Sequence, residues 1–137
     1  MDHRHYMNIF EGVIKIKSLL RYHGSKWRIA SWILSYFPEH RSYLEPFVGS
    51  GAVFFSKQRS DIETINDLDG DVVKLFYWVK HDPEKLAYEV YYTPYARQIY
   101  DNAYLPNDDE NSLDKAVKFL IRLNMGYGYR TTEAKVG

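Results

Sequence analysis

The sequence contains no cysteine. That removes disulfides and thiolate metal ligands and fits a reducing cytosol. It also lacks any charge imbalance: Lys+Arg and Asp+Glu both number 18, so the net charge is zero. Composition therefore makes no electrostatic case for a polyanionic partner, and any basic patch must be local. No apolar run approaches the roughly 18 residues needed to span a bilayer, so no membrane partner is expected. The opening MDHRHYMNIF has no long apolar core behind it and makes a poor signal peptide. Residues 1–17 read as an N-terminal tail, and His3 and His5 on it are not expected to hold a metal. Internal repeats and low-complexity tracts are absent too.

What is present is aromatic. Three Trp, thirteen Tyr and seven Phe occur among 137 residues. Rings in this number suit a core and an interface, and equally suit stacking on bases. With 45% hydrophobic residues the chain has enough apolar material for a core.

Periodicity divides the chain into elements. Trp27, Ala30, Leu34 and Phe37 fall on one helical face, with Ser25 as cap and Pro38 as stop. RSYLEPF suggests a strand over 42–46, followed by a helix over 52–58 just past Gly51. IETIND suggests a second strand over 62–67. Val72, Leu75, Phe76 and Val79 then repeat at helical spacing, with Asp69 or Asp71 as cap. Pro83 opens a helix over 83–91, and Thr93-Pro94 predicts another over 94–104. Ser112 is expected to cap a last helix whose face is Leu113, Ala116, Val117, Leu120 and Leu123 or Asn124. This order implies an α/β unit with parallel strands, over 18–92, and a helical segment over 93–137. Two strands are fewer than the five or six of an average sheet.

The stretch FVGSG joins a buried strand to a buried helix. Glycine there allows a tight bend and lets a ligand reach the main chain with no Cβ in the way. The third glycine of a dinucleotide fingerprint is missing: its place is taken by Phe54, which weighs against half of a nucleotide-binding oxidoreductase. No Gly-Lys-Ser/Thr string follows either, so a P-loop is excluded. Asp67 lies 18 positions after Gly49, at the end of the second strand. An acid so placed grips ribose hydroxyls in α/β sites, which suggests an adenosine-like ligand without a pyrophosphate, such as S-adenosylmethionine. The same residues also suit an ordinary turn and a helix cap.

Several ordered motifs carry a resemblance: LRYHGSK, then EPFVGSG, then INDLDGD, then TPYARQIY and FLIRLNMGYGYR. Together they resemble the Dam-like adenine-specific DNA methyltransferases, including phage and prophage members, over roughly residues 19–130. The resemblance implies a partial Rossmann-like fold that uses S-adenosylmethionine, leading into a target-recognition region. It implies that Tyr22, Gly24, Ser25 and Lys26 fold over the methionine end of the cofactor. Ser25 stands where the family pattern has a second glycine. Pro46, Phe47, Val48, Gly49, Ser50 and Gly51 would line the cofactor pocket, Asp67 would hold the ribose, and Leu68 would pack near the adenine. Double-stranded DNA is the implied substrate. Arg122, Tyr127, Tyr129 and Arg130 are the candidate DNA contacts, although a glycine-rich turn with solvated arginines fits the same residues.

One expected motif is missing. Prolines occur only at 38, 46, 83, 94 and 106, none adjacent. The Asp-Pro-Pro-Tyr-type segment that holds the target amine in the family is therefore not in this sequence, and no catalytic residue is assigned. The resemblance then implies the N-terminal portion of such an enzyme, inactive in DNA methylation alone. Surface left bare by an absent portion is expected to favour self-association. A non-catalytic nucleotide- or DNA-binding module remains the alternative.

Overall fold

The structure is a computed structural model that describes residues 20, 22, 24–107 and 110–126. The tail over 1–17 and the candidates Tyr127, Tyr129 and Arg130 lie outside the described residues. Strand β1 is Ser42–Glu45 and β2 is Ile62–Ile65. They pair in parallel, with Ser42 opposite Ile62 and Glu45 opposite Ile65. Helix α2, Ala52–Ser56, lies in the crossover between them, as parallel pairing requires. No further strand occurs among the described residues.

Six helices occur among the described residues: α1 (Ala30–Leu34), α2, α3 (Gly70–His81), α4 (Pro83–Tyr91), α5 (Arg97–Asn102) and α6 (Ser112–Met125). The core forms where α3 meets α6. Val72, Leu75 and Phe76 of α3 and Leu113, Ala116, Phe119, Leu120 and Leu123 of α6 are buried there with Leu20, Val48 and Leu86. The apolar stripe of α6 is wider than the spacing suggests: Phe119 is fully buried, Val117 packs at its margin, and Asn124 is exposed. A stripe spanning both the i+3 and i+4 rows takes in 119 as well as 120.

Three caps differ from expectation, each because the hydroxyl is used elsewhere. Ser25 does not start a helix. Its Oγ lies 2.8 Å from that of Ser50, and the chain passes through turns before α1 begins after Ile29. Beyond α1, tighter i→i+3 bonds continue the winding to Phe37, where Pro38 ends it. Thr93 does not cap α5. Its Oγ1 donates to the Glu89 carbonyl at 2.7 Å and closes α4, so α5 begins at Arg97. Ser112 is the first residue of α6 rather than its cap. Asn111 Oδ1 accepts from the Leu113 and Asp114 main-chain N–H groups, and Ser112 Oγ accepts from Trp78 Nε1 at 3.2 Å. By contrast, Asp69 caps α3 and Asp82 caps α4 through their carboxylates.

Candidate functional site

At the C-terminal end of β1 the chain turns sharply. Val48 N–H donates to the Asn66 carbonyl at 3.0 Å, and Gly51 N–H returns to the Val48 carbonyl at 2.8 Å. Closing so tight a turn puts Gly49 at φ +49° and Gly51 at φ +70°, both left-handed and suited to glycine. A Cβ on Gly51 would fall 2.6 Å from the Phe55 ring. Ser50 between them is buried.

Asp67, just past β2, meets this turn. Its Oδ2 accepts from Gly49 N–H at 2.7 Å, and its Oδ1 accepts from Asp69 N–H at 3.0 Å. Asn66 fastens the two strand ends: its N–H donates to the Glu45 carbonyl and its Nδ2 to the Pro46 carbonyl at 3.3 Å. Tyr22 covers the turn from the other side. Its ring would touch a Cβ placed on Gly49, and its hydroxyl donates to Asp69 Oδ2 at 3.1 Å. Burial, and then the Asp69 carboxylate, push the Tyr22 phenol up to about 12, so it remains a proton donor at neutral pH.

Between these parts lies a cavity of about 240 Å³. The turn contributes Phe47, Val48, Gly49 and Ser50, and the entry segment contributes Tyr22, Gly24, Ser25 and Lys26. Asp67 completes the set of sequence-derived candidates on its wall. Three candidates stay off that wall. Pro46 is engaged through its carbonyl, Gly51 is buried, and Leu68 is 91% exposed. Phe47 is also largely exposed, so two apolar side chains lie in solvent within one position of lining residues.

Glu45, Ala52 and Val53 line the cavity without having been singled out from the sequence. Glu45 carries chemical weight. Burial raises its pKa above the ordinary carboxylate value, opposed by the Tyr43 hydroxyl, which donates to Oε2 at 2.8 Å, and by the Lys26 charge. The available signal was an acid on the last position of a strand that runs into the glycine turn. Two carboxylates against one lysine give this cavity an acceptor-rich lining unsuited to a pyrophosphate. It suits a neutral or cationic ligand with hydroxyls to donate.

Arg122 lies apart from the cavity. Its Nη1 donates to the Ala103 carbonyl at 2.9 Å, its Nη2 to Asp71 Oδ2 at 2.5 Å, and its side chain is only 14% exposed. The guanidinium thus ties α6 to α3 and to the end of α5 rather than facing solvent. A larger cavity of about 790 Å³ near the starts of the strands is lined by residues 34, 37–41 and 56–60 and includes no candidate. Among the described residues no group of three His, Cys, Asp or Glu is placed to hold a metal ion, and no helix is long and apolar enough to cross a membrane.

The structure thus defines a parallel α/β unit with a glycine turn bonded to a carboxylate on the wall of a small cavity at the strand ends. The chain belongs to the D12 class N6 adenine-specific DNA methyltransferase family, whose model matches residues 22–135. It is 25% identical over 120 residues to a DNA adenine methylase of Vibrio cholerae, an alignment covering 82% of this chain and 42% of that protein. It is 29% identical over 70 residues to the DNA N-6-adenine-methyltransferase of Escherichia phage P1, covering 51% of this chain and 9% of that protein. It is 31% identical over 86 residues to the type II methyltransferase M.MjaIII of Methanocaldococcus jannaschii, covering 56% and 30%. The chain therefore spans less than half the length of these relatives.

Proposed function

We propose that the chain binds S-adenosylmethionine in the cavity at the glycine turn and serves methylation of the adenine exocyclic amine in double-stranded DNA, as part of a Rossmann-like methyltransferase fold. The observation that carries this reading is the bond from Gly49 N–H to Asp67 Oδ2 at 2.7 Å, which brings glycine main chain and carboxylate onto one cavity wall. Each carboxylate oxygen has a second lone pair, so Asp67 retains acceptor capacity for ribose hydroxyls. Tyr22, Ser25 and Lys26 then close over the methionine end, with Glu45 and Asp67 favouring a cationic group. Phe47 and Leu68 supply apolar surface for the adenine ring.

When bound, the cofactor supplies an electrophilic methyl group. The adenine amine is a weak nucleophile because its lone pair is delocalised into the ring. The base must leave the duplex to be reached, and the rate gain comes from positioning. This chain's residues contribute by holding and orienting the cofactor and by keeping water from it. The 137 residues contain no adjacent prolines, so a segment of the Asp-Pro-Pro-Tyr type does not complete the amine site from within them. DNA contact is proposed for Tyr127, Tyr129 and Arg130, whereas Arg122, the fourth candidate, is spent on Asp71 and the Ala103 carbonyl and is not proposed as a contact.

Calorimetric titration with S-adenosylmethionine tests the reading. The wild-type chain is expected to bind, and Asp67→Ala to lose about tenfold or more in affinity, since a charge-assisted hydrogen bond contributes roughly 1.5–3 kcal/mol. A wild-type chain that is folded by circular dichroism yet takes up no cofactor refutes it. Unchanged binding by Asp67→Ala does so too.

A further inference from the structure

Three acids at alternate positions, Asp67, Asp69 and Asp71, form a connected run. Asp67 Oδ1 accepts from Asp69 N–H at 3.0 Å, and Asp69 Oδ1 accepts from Asp71 N–H at 2.9 Å. Each acid then gives its other oxygen to a different part of the molecule. Asp67 Oδ2 takes Gly49 N–H, Asp69 Oδ2 takes the Tyr22 hydroxyl, and Asp71 Oδ2 takes Arg122 Nη2 at 2.5 Å. One end of the run faces the cavity and the other is held by α6. Lys74, one turn further along α3, adds only a 3.2 Å contact to Asp71 Oδ1, and its own side chain is 38% exposed.

Arg122 is well fixed at its own end. Its second nitrogen is spent on the Ala103 carbonyl, and its guanidinium lies 5.8 Å from the Tyr104 ring and 5.9 Å from the Phe119 ring. Phe119 in turn packs beside Tyr22, with ring centroids 6.3 Å apart. A planar, doubly bonded guanidinium is a rigid tether, and charge-assisted bonds of this kind are stronger than neutral ones. The position of Asp71 fixes the first turn of α3, and through two short links the Asp67 carboxylate.

We propose that Arg122 is a positioning residue for the cofactor site. By holding Asp71 it sets the acid run, and so the placement of Asp67 against Gly49. The inference rests on the cofactor reading given above. It makes a residue on the last helix, remote from the cavity wall, a determinant of cofactor affinity.

Titration of the 137-residue chain with S-adenosylmethionine tests it, using wild type, Asp67→Ala, Arg122→Met, Arg122→Lys, Asp71→Asn and Ala116→Gly. Ala116 is buried on α6, so its replacement loosens the same helix without touching the ion pair. Arg122→Met and the nearly isosteric Asp71→Asn are expected to weaken binding about five- to tenfold, inside the roughly two- to thirtyfold span of residues that modulate coupling through a network. Arg122→Lys keeps a cation for Asp71 but loses the planar fork, so it is expected to recover only part of the affinity lost in Arg122→Met. Ala116→Gly is expected to lower the melting temperature and leave affinity unchanged. Wild-type affinity in a folded Arg122→Met or Asp71→Asn chain overturns the proposal, as does an equal loss in Ala116→Gly. If the folded wild-type chain takes up no cofactor, the underlying site reading fails and this inference fails with it. A loss confined to Asp67→Ala leaves the site reading standing and rejects the role of Arg122 alone.

Discussion

Gly51 and Gly49 have the same left-handed backbone sign and different surroundings. At Gly51 an added Cβ meets the Phe55 ring at 2.6 Å, and that ring packs against Phe76 of the core. At Gly49 it meets Tyr22 at an ordinary 3.5 Å. Left-handed backbone alone costs a non-glycine residue about 1–2 kcal/mol. Gly49→Ala is therefore expected to destabilise by about that amount, and Gly51→Ala by about 2–4 kcal/mol once the ring must move. Chemical denaturation checks the order, and equal midpoints would contradict it. Glu45 makes a pH prediction. Burial raises its folded pKa above the unfolded value near 4.5, so the folded chain holds a proton that the unfolded chain releases. The favourable effect of that proton is complete below the unfolded value and is lost as pH rises through the folded one. Glu45→Gln removes this dependence. Its melting temperature is expected to exceed that of wild type at pH 7 and to converge with it near pH 4. A constant difference across that range would show that burial of the charge is not the cause.

Among the elements, apolar periodicity was legible and caps were less so. Val72, Leu75 and Phe76 of α3 and Leu113, Ala116, Leu120 and Leu123 of α6 stand where spacing put them, because core packing is what creates that spacing. Both strands lie within the expected stretches, since a short apolar run ahead of a glycine turn or an acid has few other uses. Ser25, Thr93 and Ser112 were misplaced as caps for a single reason. A hydroxyl can serve several nearby partners, and only the fold decides among Ser50, the Glu89 carbonyl and Trp78. The meeting of Gly49 with Asp67 was legible, since a glycine turn and an acid at the ends of paired parallel strands must lie together, and the burial of Glu45 was not, because it depends on the packing around it. The inward turn of Arg122 was likewise hidden, since Asp71 is 51 positions away. One cap yields a direct test. Asn111 Oδ1 satisfies two N–H groups at the start of α6, the helix that supplies more of the core cluster than any other described element. Asn111→Ala is expected to cost about 1 kcal/mol, or roughly 3 °C in melting temperature. Ser112→Ala, which touches no cap bond, is expected to cost less. The reverse order in a thermal melt would restore Ser112 as the cap.

For the molecule as a whole, the sheet has one open face among the described residues. In a parallel pair, facing residues share a side, so Ser42, Leu44, Ile62 and Thr64 form one surface, and all four are exposed. Leu44 and Ile62 are each 62% exposed. The opposite surface carries half-buried Tyr43, Glu45 and Ile65, with Tyr43 stacked on Phe54 of α2. Parallel sheets are ordinarily covered on both faces, and an uncovered edge offers a row of unpaired main-chain groups. Exposed Trp32, Tyr36, Tyr91 and Tyr95 add further apolar area. Nothing electrostatic opposes association, since the net charge is zero. We therefore predict that the isolated chain self-associates through the Leu44–Ile62 face. Light scattering across a concentration series is expected to give a mass above that of one chain, rising with concentration. Leu44→Lys with Ile62→Lys is expected to return it to a single chain, because two charges facing each other across a copied sheet face repel. A constant single-chain mass at every concentration would falsify the prediction. Persistent association in the double variant would instead move the contact to the aromatic surface of α1 or α4.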